Sequence, residues 1–275
     1  MTPADAPACC ASPITRHAVS GLRIMEADGV LVVSFARPAK RNAVTLAMYR
    51  ALGAVFVDAA SRPSVQSILL CGEGACFSAG ADIGDLRSDT DRIAVLVEHR
   101  RISDAAVDAL AACPKPTVAL IDGFCLGGGM SFAMACDFRI ATPGSSFGIP
   151  AARLGVVYSQ SDCQRLHALV GISAAKRILY LGDRMQAAEA LRIGLVDEVT
   201  ADAANRAHAL LLALGERAPL SIAGSKLALD AAAAGLTQQR AGPIAASVRR
   251  AMESRDLAEA TAAFLAKRRP EFSGC

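Results

Sequence analysis

Two glycine-rich stretches carry the residues best suited to chemistry. The first, TVALIDGFCLGGGMSFAMACD at 117–137, sets Gly127, Gly128 and Gly129 between a charge-free apolar run and a helix-compatible one. It reads as buried strand, glycine loop and helix. Glycines at such a junction let a ligand approach the backbone. The first amides of the helix have no intrahelical partner and point outward at the positive end of the dipole. They suit an anion, or an oxygen that becomes one during a reaction. The plainer reading is close packing of helix on strand. The second stretch, GEGACFSAGADIG at 72–84, also follows an apolar run and offers amides near Ala79, Gly80 and Ala81, unless it is an ordinary turn. Two amides converging on one oxygen form an oxyanion hole, in which losing a single donor costs about 3–4 kcal/mol of barrier.

The turn RPAKRN at 37–42 projects Arg37, Lys40 and Arg41 from a short loop. It is either a solvated turn or a cationic clamp for phosphates. The nine cysteines include no C-x-x-C pair, and Cys113, Cys125, Cys136 and Cys163 lie in apolar surroundings. They read as reduced, intracellular small hydrophobes, with a reactive thiolate at Cys125 or Cys163 as the sharper alternative. The histidines His17, His99, His167 and His208 lie far apart, which predicts no metal site.

The elements that must position these loops follow in order. Runs at 22–26 and 29–36 flank Asp28-Gly29, a hairpin signal. Thr45 can cap a helix running to about position 60. A strand at 65–71 and a polar break at 88–91 lead to a helix at 92–112. Pro114 and Pro116 end that helix before the central strand. Further strands are expected at 137–141 and near 147–150. Short helices are expected at 161–170, 173–181 and 186–193. Beyond 200 the strand pattern stops, and alanine-rich helices continue with breaks near Pro219, Gly235 and Pro243. The chain thus divides into a loose extension at 1–17, an α/β core at 18–200 and a helical region at 201–275. Repeated strand-to-helix steps without G-x-G-x-x-G argue against a standard dinucleotide fold.

Composition narrows the partners. The net charge of +3, with no basic block and no Trp, excludes a nucleic-acid face. The most apolar segment, 117–135, contains Asp122 and four glycines, so it fits a buried strand and helix better than a membrane span. The N-terminus lacks a cationic start followed by an apolar core, so no secretory signal is expected. A cytoplasmic chain is the expectation.

The segments CFSAGADI, KPTVALIDGFCLGGGMSFAMACDFRIA, FGIPAARLGV, AAEALRIGLVDEV and AFLAKRRPEF, in that order, resemble the enoyl-CoA hydratase/isomerase family, the crotonase superfamily, over about 22–272. The resemblance implies an α/β fold: a ββα spiral core with a C-terminal helical trimerisation region, assembled as a homotrimer or a dimer of trimers. It implies an acyl-CoA thioester as substrate, with no cofactor beyond the coenzyme A that the substrate carries. The N–H groups of Ala81 and Gly128 would hold the thioester oxygen and stabilise an enolate. Lys40 and Arg41 would meet the CoA nucleotide. Ala79, Asp82 and Ile83 would line the CoA path, largely through backbone. Phe264 and Lys267 match a C-terminal pair that reaches the CoA of a neighbouring subunit.

The catalytic carboxylates are where the chain departs from that pattern. Hydratases of the family carry Glu two residues after the triple glycine and again after the Pro of FG-x-P. Here Ser131 and Ala151 stand in those places. Hydration needs a water activated by such acids, and neither residue replaces them. Tyr158, in L-G-x-x-Y, resembles a methylmalonyl-CoA-type decarboxylase, in which a hydroxyl orients the leaving carboxylate. Its plainer reading is a packing tyrosine. Those decarboxylases also place a His where Ala81 stands. Asp162 falls three residues beyond an acid position of some isomerases, and its plainer reading is a helix N-cap. Three functions stay open: an enolate-forming enzyme with a hydratase/isomerase label, a decarboxylase using Tyr158, and a silent acyl-CoA binder. Small residues at 131 and 151 leave room for a bulky acyl group.

Overall fold

The computed structural model describes residues 12–13, 19–86 and 91–275. Most of the extension at 1–17 and of the polar break at 88–91 therefore lies outside the described residues. Asp28 and Gly29 both take positive φ, as a two-residue hairpin turn requires, and join β2 (Leu22–Ala27) to β3 (Val30–Phe35). β1 (Ser12–Pro13), inside the stretch expected to be loose, pairs antiparallel with β2. Thr45 caps α1 (Leu46–Ser61) by accepting from the Met48 N–H.

The chain continues through β4 (Ser67–Gly72), α2 (Arg92–Ala111), β5 (Thr117–Ile121), β6 (Phe124–Leu126), α3 (Gly128–Ala135) and β7 (Phe138–Ala141). It then forms β8 (Ser146–Gly148), α4 (Ala151–Leu154), α5 (Gln160–Leu181), β9 (Met185–Gln186), α6 (Ala187–Arg192) and β10 (Glu198–Val199). Helices α7 (Ala203–Gly215), α8 (Pro219–Ala233), α9 (Ala241–Met252) and α10 (Arg255–Leu265) complete it.

The main sheet has the order β1-β2-β3-β4-β5-β7-β10, antiparallel across β1-β2-β3 and parallel from β3 onward. A small sheet of β6-β8-β9 stands beside it. Side chains alternate across the main sheet with period two. Leu31, Val33, Phe35, Ile68 and Leu70 join the large core under α1 and α2, whereas Val30, Val118 and Ile140 face Ala203, Ala207 and Leu211 of α7. The helical region expected over 201–275 is present as α7–α10, and its first helix covers the second face of the sheet.

Two local expectations are corrected, and a third is met. Gly128 and Gly129 belong to α3 itself, so the helix starts two residues before 130. The two short helices expected at 161–170 and 173–181 are present as the two halves of α5, separated at Gly171, which has φ +73° and non-helical ψ. Pro243 ends nothing. It sits in the first turn of α9, where its missing N–H costs no hydrogen bond.

Candidate active site

Phe132 fixes the orientation of α3. Its ring is fully buried and meets Phe35 at 5.7 Å, Tyr49 at 5.6 Å and Phe56 at 6.4 Å between centroids. Each glycine of the triplet has its own reason. Gly127 has φ +52° and ψ −122°, a backbone state that L side chains resist. A side chain on Gly128 would strike the Tyr49 hydroxyl. One on Gly129 would come within 2.9 Å of the Ser78 carbonyl oxygen. Close packing thus explains Gly129, and the other two shape the loop.

The loop at 76–82 is threaded between two strand-like partners. Ser78 N–H donates to the Phe124 carbonyl at 2.8 Å, and Leu126 N–H donates back to Ser78 at 2.9 Å. Val44 N–H donates to the Gly80 carbonyl and Asp82 N–H to the Val44 carbonyl, at 2.8 and 2.9 Å. This pattern leaves the Ala81 N–H turned away from Val44, with no backbone acceptor among the described residues. Gly128, first in its helix, likewise has no intrahelical acceptor. The two amides are neighbours. A methyl on Gly80 would lie 3.1 Å from Gly128 N, and one on Gly128 would lie 3.5 Å from Ala81 N. Two unpaired donors meeting at one point can hold an oxygen and stabilise negative charge on it.

Position 131, where the resemblance implies a glutamate, lies against an acid. Ser131 Oγ donates to Asp162 Oδ2 at 2.7 Å, and both residues are buried, Asp162 to 6% exposure. Asp162 is not an N-cap. Ser159 caps α5 and accepts from the Asp162 N–H at 3.1 Å, which places Asp162 one turn in, with its carboxylate toward α3. Arg165 donates to Asp162 Oδ1 at 3.3 Å and to Asp108 Oδ1 at 2.5 Å. The Tyr158 side chain lies beside Ser131. With Asp162 ionised, Ser131 donates to it. Burial pushes the Asp162 carboxyl above the usual carboxylate range, against the hydrogen bond from Ser131 and the charge of Arg165. Burial and the nearby Asp162 also raise the Tyr158 phenol, which stays protonated. Ala151 is the first residue of α4 and is buried, so it brings no acid.

The remaining expected residues lie toward the surface. Lys40 and Arg41 are exposed at the turn, and the Arg41 guanidinium sits 5.9 Å over the Phe124 ring. Arg184, not singled out in the sequence, sits over the same ring at 5.0 Å. Ala79 is half-buried and Ile83 exposed. The Asp82 side chain does more than line a path: it accepts from Arg37 at 2.7 Å and from Gly84 N–H at 3.0 Å, which hold its carboxyl below the usual range. Phe264 is 83% exposed, and Lys267 takes φ +52° just beyond α10. Burial raises the thiols of Cys125 and Cys163, which opposes a reactive thiolate at either. Among the described residues no three His, Cys, Asp or Glu side chains group as a metal site, and no helix is long and apolar enough to cross a membrane.

Sequence reasoning missed Tyr49, Asp108, Arg165 and Arg184. Only Arg165 had a usable signal, its i,i+3 spacing from Asp162. Tyr49 lies on the apolar face of α1 and reads as core.

Comparison with known proteins places this geometry. Residues 25–275 match the profile described as enoyl-CoA hydratase/isomerase. The 2,3-dehydroadipyl-CoA hydratase of Escherichia coli (strain K12) is 32% identical over 263 residues, covering 93% of this chain and 100% of the relative. The short-chain-enoyl-CoA hydratase of Clostridium acetobutylicum is 33% identical over 214 residues, covering 75% and 80%. The crystal structure of an enoyl-CoA hydratase/carnithine racemase from Magnetospirillum magneticum superposes with a TM-score of 0.84 at 27% identity, over 94% of this chain and 97% of that one. The expected crotonase-type core is therefore the fold observed, and the chain belongs to the enoyl-CoA hydratase/isomerase family.

Proposed function

We propose that this family member is an enolate-forming acyl-CoA enzyme that moves a proton along the acyl chain with a single carboxylate, Asp162. The observation that carries the reading is the Ser131–Asp162 hydrogen bond at 2.7 Å. It brings an acid from α5 to the place where hydratases of the family carry a glutamate on α3. The Ala81 and Gly128 amides hold the thioester oxygen. Asp162 takes a proton from C2 of a 3-enoyl thioester, and the electron pair moves through the C1–C2 bond onto that oxygen. The same carboxyl returns the proton to C4, the carbonyl re-forms, and a 2-enoyl thioester results. No water is consumed, so the second acid lost at Ala151 is not needed. A carboxyl raised toward neutrality is suited to both halves of this transfer.

Coenzyme A enters with the substrate and is the only cofactor in this reading. Lys40 and Arg41 meet its phosphates, and Ala79, Asp82 and Ile83 line its path. Phe264 and Lys267 serve a neighbouring copy in a homotrimer or a dimer of trimers. The exposed Met252, Leu257, Phe264 and Leu265 of α9 and α10 support such an assembly, which light scattering would test.

The testing experiment is proton–deuterium exchange at the acyl α-carbon in D2O, with 3-enoyl, 2-enoyl and malonyl thioesters. Exchange and 3-enoyl to 2-enoyl conversion that fall by ~10²-fold or more in Asp162→Asn are expected. Release of CO2 from malonyl-CoA that depends on Tyr158 would replace the reading with decarboxylation. Binding without exchange would replace it with a silent binder.

A further inference from the structure

One polar group beside the two amides is unused by the proposed mechanism. Tyr49 comes from α1 and is 2% exposed. Its ring stacks on Phe132 at 5.6 Å and 19°, and meets His99 edge-on at 5.5 Å and 78°. These contacts hold the ring in one place. Its hydroxyl occupies the space where a side chain on Gly128 would begin, and that point is 3.5 Å from Ala81 N. The phenol therefore stands beside both unpaired amides. Tyr158 flanks the preceding glycine, its hydroxyl 3.9 Å from where a Gly127 side chain would begin. Tyr158 lies beside Ser131, whereas Tyr49 lies beside the two amides. A hydroxyl beside two amides that lack acceptors is placed to share an oxygen that they hold. Burial, with Asp162 and Asp104 nearby, raises the Tyr49 phenol and keeps it a donor.

Resting on the acyl-CoA reading above, we propose that Tyr49 is a catalytic residue: a side-chain donor that joins the Ala81 and Gly128 amides on the thioester oxygen. The three donors divide the negative charge of the enolate between main chain and phenol. His99, whose buried Nε2 has no hydrogen-bond partner among the described residues, lies behind the ring and is not required to move a proton.

The test uses acetyl-CoA labelled with 13C at the carbonyl, the smallest thioester and hence indifferent to acyl-pocket size. Its carbonyl stretch is read by infrared difference spectroscopy on the wild type and on Tyr49→Phe, which keeps both ring contacts. The expected result is a clear shift to lower frequency in the wild type and a smaller one in the variant. α-Carbon exchange should fall about 10²-fold, with dissociation constant and melting temperature nearly unchanged. A purely structural tyrosine would leave the carbonyl frequency of the bound thioester alone. Equal shifts in both proteins would overturn the role of Tyr49 and leave the acyl-CoA reading standing. No binding of acetyl-CoA to the wild type would overturn both.

Discussion

The two walls of the candidate site are built differently. The wall bearing Ala81 and Gly128 is main chain, held by short-range geometry: a parallel bridge at Val44 and the first turn of α3. The wall bearing Ser131, Asp162, Arg165 and Asp108 is side chain, assembled from α3, α5 and α2. A main-chain wall survives almost any substitution that respects its glycines. A side-chain wall can lose its acid at one position and regain it from another helix. On the proposed reading, the difference would let the enolate-holding side stay fixed while the proton chemistry changes.

The largest effect should come from breaking the side-chain wall. Asp162→Asn should lower α-carbon exchange by ~10²–10⁴-fold. Its stability should move the other way. Asp162 has its native carboxyl raised, so between the unfolded pKa and the native one the folded state binds more protons than the unfolded state. Stability contributed by the protonated form is full at low pH and lost as pH rises through that window. Relative to Asp162→Asn, the wild type should therefore lose melting temperature from about pH 4 upward.

Next is the main-chain wall. Gly80 has φ +100°, and a methyl there would sit 2.9 Å from the Leu126 carbonyl and 3.1 Å from Gly128 N, both backbone. Gly80→Ala should cost about 1–3 kcal/mol in urea unfolding and disturb both amides at once. A single such change should therefore reduce exchange without touching an acid.

Ser131→Glu sharpens the comparison. It restores the family's residue but sets a second carboxylate against Asp162. Like charges this close cannot both ionise, so a loss of about 1–2 kcal/mol is expected at pH 7, shrinking at pH 5. Hydratase activity should not appear, because Ala151 still offers no partner. Adding Asp162→Ser and Ala151→Glu should recover stability, and water addition to a 2-enoyl thioester is the assay. The smallest effect is expected at the rim. Arg41→Gln should raise KM roughly several-fold with kcat unchanged, and the change should vanish in high salt.

The legibility of the sequence follows the same division. Strand β5, the hairpin at Asp28-Gly29, the Thr45 cap and both glycine loops were readable because each depends on residues adjacent in the chain. Asp162 was readable only as a candidate. Its use depends on Ser159 capping α5, which fixes the rotation of the helix and turns Asp162 rather than Ser159 toward Ser131. Tyr49 was hidden because a tyrosine on an apolar helix face looks like core, and most of its ring is core. Arg184 comes to Phe124 through pairing of β8 with β9, a contact with no local signature.

Asn42 has a consequence for motion. It is fully buried with φ +54°, and its side-chain amide donates to the carbonyls of Glu73 and Cys76 while its oxygen accepts from Arg37 N–H. Its own carbonyl accepts from Ser78 Oγ, which in turn accepts from Gly80 N–H. The cationic turn and the loop carrying Ala81 are thus riveted through one side chain. They should open to solvent as one cooperative unit, with matched amide-exchange rates from 37 to 44 and from 76 to 82. Any force that lifts the turn would then also dismantle the proposed oxygen seat, and a ligand that gripped the turn would tighten that seat from a distance.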